Sequence, residues 1–219
     1  MKISRLHPWN VTTEGATEIQ ERLRAQVIRR DEIGSVRFVA GIDVSHQGEK
    51  GISRAAVVVL HYPELVLCEQ AVAWCRTGFP YLPGLLSFRE APAALKALGK
   101  LRQVPDLILC DGQGYAHPRR FGLACHIGLL SSIPSIGVAK TRFWGEHAPV
   151  GMERGDWQPL IDKGEVIGAA LRTRAGVKPV YVSTGHRISL TTALEYVLHC
   201  APRYRLPEPT RQAHHLSVG

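Results

Sequence analysis

The stretch Val36–Arg76, VRFVAGIDVSHQGEKGISRAAVVVLHYPELVLCEQAVAWCR, decides the fold. Val36 to Val44 reads as a strand, and so does Arg54 to Leu60. The segment Gln47-Gly48-Glu49-Lys50-Gly51 between them carries two glycines and predicts a tight turn. Leu65 to Arg76 forms a third strand, entered through a Tyr62-Pro63 turn. Three consecutive strands with short connections make an antiparallel meander.

Outward from the meander the pattern changes. Upstream, Ile19, Leu23 and Val27 recur every four residues with charges between, predicting a helix over 12–30. Downstream, a helix is expected from Ser87 to about Leu101, then a short apolar strand, Leu107 to Cys110, that ends in Asp111-Gly112. A helix over 121–132 and a buried strand, Ser135 to Ala139, follow. Strand–helix–strand alternation implies parallel pairing. Val166 to Arg172 and Val180 to Ser183 read as a later hairpin, and 189–200 as another helix. The tail Arg203 to Gly219 is proline-rich and basic. The simplest assembly is an α/β fold with a mixed five-stranded sheet, meander plus parallel strands, flanked by helices. That order matches the ribonuclease H-like fold, with 1–219 as a single domain.

Composition narrows the function. With 219 residues and 45% hydrophobic content the chain can bury a sizeable core. Its longest purely aliphatic stretch, Ala55 to Leu60, is far short of the roughly 20 residues of a membrane helix. The start, MKISRLHPWN, has no apolar run of the secretory kind. The five cysteines are scattered and form no CxxC pair, which argues against structural zinc and for a reducing, cytoplasmic setting. Lysine plus arginine is 27 against 19 acidic residues, a net charge of +8. A basic surface suits a nucleic-acid partner, although the same charge also serves solubility alone. No GxxxxGK[ST] motif occurs, which removes a phosphate-loop nucleotide enzyme.

Three acidic residues stand on separate elements. Asp43 lies inside the first apolar strand, where an ionised carboxylate is costly unless paired or metal-bound; the other reading is a residue that helps the turn. Asp111 closes a predicted parallel strand, at the sheet edge where ligands collect, or else makes an ordinary Asp-Gly turn. Glu90 fits a capping box with Ser87 as N-cap, or a helix start aimed at a metal. Together they make a set of hard oxygen ligands suited to Mg²⁺, as a metal-dependent nuclease needs. Arg119 and Arg120, beside His117 at an expected helix start, suit phosphate contacts or form a solvated basic turn. Lys140 ends a strand and either stabilises a phosphate or is merely solvated. His214 and His215 sit in a tail where histidine has no packing duty; one is a candidate metal ligand, and the alternative is a disordered end. Pro80 and Pro83 hold Tyr81 and Leu82 on a stiff tip, the form of a wedge inserted between bases. Gly84, Gly112 and Gly122 would leave room for a flipped base.

Assembled, these residues resemble the endonuclease V family, the inosine-directed nucleases of DNA repair. The blocks AGIDVS (40–45), FPYLPGLLSFRE (79–90), CDGQGYAHPRR (110–120), SIGVAKTR (135–142), STGHRISL (183–190) and RLPEPTRQAH (205–214) stand in the family's order across nearly the whole chain. The resemblance implies Mg²⁺-dependent, Mn²⁺-tolerant hydrolysis of the second phosphodiester bond 3′ to deoxyinosine in DNA, leaving 3′-hydroxyl and 5′-phosphate ends. Some members prefer inosine in RNA. It implies Asp43, Glu90 and Asp111 as metal carboxylates, with His214 near the metal, a position where other members carry Asp. Lys140 and His117 would support catalysis. Tyr81 would fill the space of the flipped base, and backbone of Leu86, Gly112 and Leu123 would line the hypoxanthine pocket. The end at Gly219, soon after His214, is expected to touch tail contacts and not chemistry. The competing readings are another ribonuclease H-like nuclease, which would lack the PYLPG wedge, and a non-catalytic module that reads inosine. A monomer is the default.

Overall fold

The computed structural model describes every residue except 2, 48–50 and 77. The expected two-glycine turn therefore falls largely outside the described residues. Around it, β1 (Phe38–Gln47) and β2 (Ile52–His61) pair antiparallel with Ile42 opposite Val57, and β3 (Val66–Arg76) adds antiparallel to β2. On the other side of β1 lie β4 (Leu107–Asp111) and then β5 (Ser135–Ala139), both parallel. The order β3-β2-β1-β4-β5 is the ribonuclease H-like arrangement.

The sheet does not stop at five strands. β6 (Trp157–Asp162), β7 (Glu165–Leu171) and β8 (Val180–His186) continue it to eight, with β8 antiparallel to β5. The expected hairpin is β7–β8, and it joins the main sheet because β8 covers the open edge of β5. β6 escapes the sequence reading because Pro159 interrupts it; a proline is tolerated there because β6 is the edge strand.

Strand alternation divides the core in two. Ala40, Ile42, Val57, Ile108 and Cys110 face α2 (Leu86–Leu98) and α3 (Leu123–Ser131). Val39, Val58, Leu107, Leu109 and Val138 face α4 (Leu190–His199) and α5 (Glu208–Val218). α1 (Thr13–Leu23) packs outside α2 and α3, through Ile19 and Leu23 against Phe88, Phe121 and Cys125.

α1 is shorter than the expected 12–30. It starts on the Thr12 cap and ends at Leu23, followed by one 3-10 turn to Gln26. Beyond that, tertiary bonds override the helical spacing: Ile28 N–H donates to His186 Nδ1 at 3.3 Å, and its carbonyl accepts from Arg187 N–H at 2.7 Å.

The tail is the larger correction. The reading of a disordered end fails, because Glu208–Val218 is a helix with Pro209 in its first turn, where a missing N–H costs nothing. It lies against β1 and β2 so closely that a Cβ on Gly41 would stand 2.0 Å from the Pro209 carbonyl carbon. Among the described residues no helix is long and apolar enough to cross a membrane, and all five cysteines are free thiols.

Candidate active site

Asp43, midway along β1, and Asp111, the last residue of β4, are brought together across parallel neighbours. α5 supplies the third group: Asp43, Asp111 and His214 each offer an atom within 4.8 Å of the others. His214 Nδ1 stands 3.3 Å from Asp43 Oδ2. Ser217, one turn further along α5, donates its hydroxyl to the same oxygen. Lys140, just past β5, places Nζ 2.5 Å from Asp111 Oδ2.

Burial pushes the Asp111 carboxyl above its ordinary range; Lys140 works against that shift, and the bonded neighbour Asp43 adds to it. Two crowded, largely buried carboxylates with an imidazole beside them are the donor chemistry of a hard divalent cation, so the set fits a metal centre.

Glu90 stands outside the 4.8 Å group. It is buried on α2, and its Oε1 lies 3.1 Å from His46 Nε2. Burial raises its pKa, His46 opposes this, and the charges of Asp43 and Asp111 raise it further, so it still senses the cluster. The capping-box reading is overturned. The N-cap is Leu85, with no side-chain bond; Ser87 lies inside the helix and bonds His126, and Glu90 does not reach back. Tertiary partners take both side chains instead, His126 that of Ser87 and His46 that of Glu90.

Beside the carboxylates opens a cavity of about 430 Å³. It is lined by Tyr81, Pro83, Gly84, Leu86, Ser87, Gly112, Gln113, His117, Gly122, Leu123 and Phe143, and by Asp111 and Lys140 from the cluster. Gln113 donates to the Thr141 carbonyl at 3.2 Å, which leaves its buried Oε1 without a partner. Tyr81 is 69% exposed at the mouth. Pro80 is exposed and does not line the cavity.

Three side chains anchor the loop that carries Tyr81 at the carbonyl of Gly84. The Gly84 carbonyl accepts from Gln20 Nε2 at 3.0 Å, His117 Nε2 at 3.0 Å and Arg119 Nη2 at 2.7 Å. Arg119 also donates Nε to Gln20 Oε1 at 2.5 Å. Two of its three guanidinium nitrogens thus bond protein. Arg120 lies apart from the cavity, paired with Asp162 at 2.7 Å and Glu165 at 2.8 Å. Both arginines are thus held by protein partners on one side of the expected helix start. Gly122 lines the cavity, but its bare Cα answers to backbone: a Cβ there would stand 2.4 Å from the Gln113 carbonyl oxygen.

His117 is buried, and its pKa is lowered to about 4, first by burial and then by Arg119. It is neutral at pH 7, with Nε2–H donating to Gly84 and Nδ1 accepting from Arg119 N–H at 3.1 Å. That makes it a post under the Tyr81 loop. His186 is lowered to about 4 as well, by burial and Arg187. A depressed folded pKa adds stability above the unfolded value near 6.5, which is lost as pH falls toward 4. Each of the two should withdraw roughly 3 kcal/mol over that window. Urea unfolding at pH 7 and pH 4.5 checks this; a His186→Asn variant should show the shallower pH dependence, and equal slopes would refute the assignment.

His46, Ser217, Gln20 and Gln113 are site residues that sequence reasoning passed over. None of them carried a sequence signal: His46, three positions after Asp43, points to the opposite face of β1, toward Glu90.

Comparison with known proteins gives the family. Residues 21–215 match the Endonuclease V family. The chain is 56% identical to Endonuclease V of Trichormus variabilis over 218 residues, covering 99% of both proteins. The crystal structure of Endonuclease V from Streptomyces avermitilis superposes with a TM-score of 0.92 at 43% identity, covering 100% of this chain and 96% of that one. Endonuclease V of Ciona intestinalis, in complex with a 23mer DNA containing an inosine followed by a ribo-adenosine, gives 0.83 at 31% identity, covering 95% and 97%. The chain belongs to the endonuclease V family and is an endonuclease.

Proposed function

We propose that this chain recognises deoxyinosine in DNA and hydrolyses the second phosphodiester bond 3′ to it, with Mg²⁺ as cofactor and Mn²⁺ as substitute, leaving 3′-hydroxyl and 5′-phosphate ends for repair. The observation that carries this reading is that Asp111 and Lys140 belong both to the carboxylate cluster and to the wall of the cavity. A base held in the cavity and a phosphate at the cluster would then be parts of one strand. The inosine-bearing DNA on the Ciona relative supports the choice of base.

Asp43, Asp111 and His214 would hold the cation, with Glu90 beside them. When bound, it would polarise the scissile phosphate and lower the pKa of an attacking water. Ser217 and His214 hold the Asp43 carboxylate in place, and Lys140 carries a positive charge at the phosphate side of Asp111. Tyr81, on its anchored loop, fills the gap that the flipped base leaves, while Leu86, Gly112 and Leu123 frame the base. The protein acts as a monomer of one domain, and its free thiols suit the reducing cytoplasm.

The test is cleavage of matched end-labelled strands carrying one deoxyinosine, one inosine in RNA, or none, with and without Mg²⁺. A Mg²⁺-dependent cut one nucleotide past the bond adjoining deoxyinosine is expected, and the RNA strand reports the sugar preference. Cutting without regard to inosine would replace this reading with a general nuclease. Binding with no cut anywhere would replace it with an inosine-reading module.

Tyr81→Ala should lower cleavage of inosine in a duplex roughly tenfold more than cleavage of inosine already single-stranded, because stacking is worth about 1–3 kcal/mol per base. Single-turnover rates on both substrates check this, and equal losses would remove the wedge.

A further inference from the structure

A chain of hydrogen bonds that plays no part in the chemistry above runs inward from half-buried His7 and ends on the wall of the cavity. His7 Nδ1 lies 2.8 Å from the Pro8 carbonyl oxygen, and His7 Nε2 lies 2.7 Å from His126 Nε2. His126 Nδ1 lies 3.0 Å from Ser87 Oγ. His126 is wholly buried, and Ser87, 2% exposed, lines the cavity beside Leu86.

The hydrogens along this chain are ordered from one end. A carbonyl can only accept, so His7 Nδ1 carries a hydrogen. Burial lowers the pKa of His7 and lowers that of His126 well below the ordinary histidine value, so both rings are neutral at pH 7. A neutral ring protonated at Nδ1 has a bare Nε2, so His7 accepts from His126 Nε2–H. His126 then has a bare Nδ1, and Ser87 must donate its hydroxyl hydrogen there. The one hydrogen Ser87 owns is directed away from the cavity. What it has left to offer a ligand is lone pairs.

We propose that Ser87 is a specificity residue, a fixed hydrogen-bond acceptor for the N1–H of a 6-oxopurine, with His126 and His7 as the positioning residues that hold its polarity. The proposal rests on the reading of the cavity as the base pocket. Hypoxanthine presents N1–H to such an acceptor. Adenine presents a bare N1, so lone pair meets lone pair and a buried acceptor stays unmet. The contact thus separates deaminated adenine from its parent. Guanine shares N1–H and is turned away elsewhere, at its amino group.

The experiment measures dissociation constants by fluorescence anisotropy for single strands carrying one hypoxanthine or one adenine at the same position, with Ca²⁺ replacing Mg²⁺ so that the strand stays whole. Thermal unfolding confirms that each variant is folded. Ser87→Ala should cut the hypoxanthine-to-adenine preference roughly tenfold or more. His7→Leu should also lower it, although His7 touches no ligand. Without His7, His126 can carry its hydrogen on Nδ1 and donate to Ser87, whose own hydrogen then turns to the cavity. His7→Gln, which restores an acceptor, should recover the preference; packing alone predicts no such rescue. A wild-type preference that survives in both Ser87→Ala and His7→Leu overturns the proposal and leaves the base pocket standing. A wild type with no preference at all overturns the pocket reading, and the proposal with it.

Discussion

Asp43→Ala abolishes metal-dependent cleavage of an inosine-bearing strand, lowering the single-turnover rate roughly a thousandfold or more, while the strand still binds within a few-fold of wild type. The magnitude follows from losing a carboxylate at a centre where metal-borne charge stabilisation is worth several kcal/mol. Asp43 is the residue on which the cluster converges: its Oδ2 takes the Ser217 hydroxyl and faces His214, and Asp111 stands within 4.8 Å. Binding survives because Asp43, unlike Asp111, does not line the cavity. Mn²⁺ titration followed by electron paramagnetic resonance supplies a second readout, in which the variant should bind the ion at least tenfold more weakly. The metal-free protein should lose little stability, since one of two crowded buried carboxylates has gone. Full activity in this variant would remove Asp43 from the centre, and loss of binding in step with loss of cleavage would mean that base reading and chemistry are not separable parts.

Much of this arrangement is legible from local pattern. The meander shows itself because β1 and β2 are long apolar runs separated by a glycine-bearing connection. Asp111 is placed by the strand it terminates, and β7 and β8 by their β-branched composition. What stays hidden depends on partners distant in sequence. Arg119 and Arg120 read correctly as cations at a loop, but Gln20 lies 99 residues from the first, and Asp162 and Glu165 lie 42 and 45 from the second. No spacing rule links them, so the protein partners that hold both arginines cannot be read from the sequence. Ser87 and Glu90 fit a capping box by spacing alone; α1 covers that helix start, and His126 and His46 take the side chains. The tail looked unstructured because two prolines and two histidines mask a short helix, whose order comes from packing on β1 and not from propensity.

That packing makes Gly41→Ala the second severe substitution, although Gly41 touches no ligand. Its added Cβ would lie 2.0 Å from the carbonyl carbon and oxygen of Pro209 and 2.5 Å from Thr210 N. All are backbone atoms and cannot swing aside as a flexible side chain would. α5 must lift, and His214 and Ser217 ride on it, away from Asp43. Overpacking of this kind costs about 3 kcal/mol or more, a fall of roughly 6–12 °C in Tm for a chain of this size. The cleavage rate should drop as well, at temperatures where the variant is still folded, and Mn²⁺ affinity should fall with it. Gly34→Ala is the matched control: a Cβ there meets nothing within 4 Å, so Tm should stay within about a degree of wild type. Wild-type Tm and activity in Gly41→Ala would mean that α5 does not seat on β1 in solution. A lowered Tm with unchanged cleavage would mean that α5 seats there but that His214 and Ser217 are not needed to hold Asp43, leaving the centre to the carboxylates and Lys140.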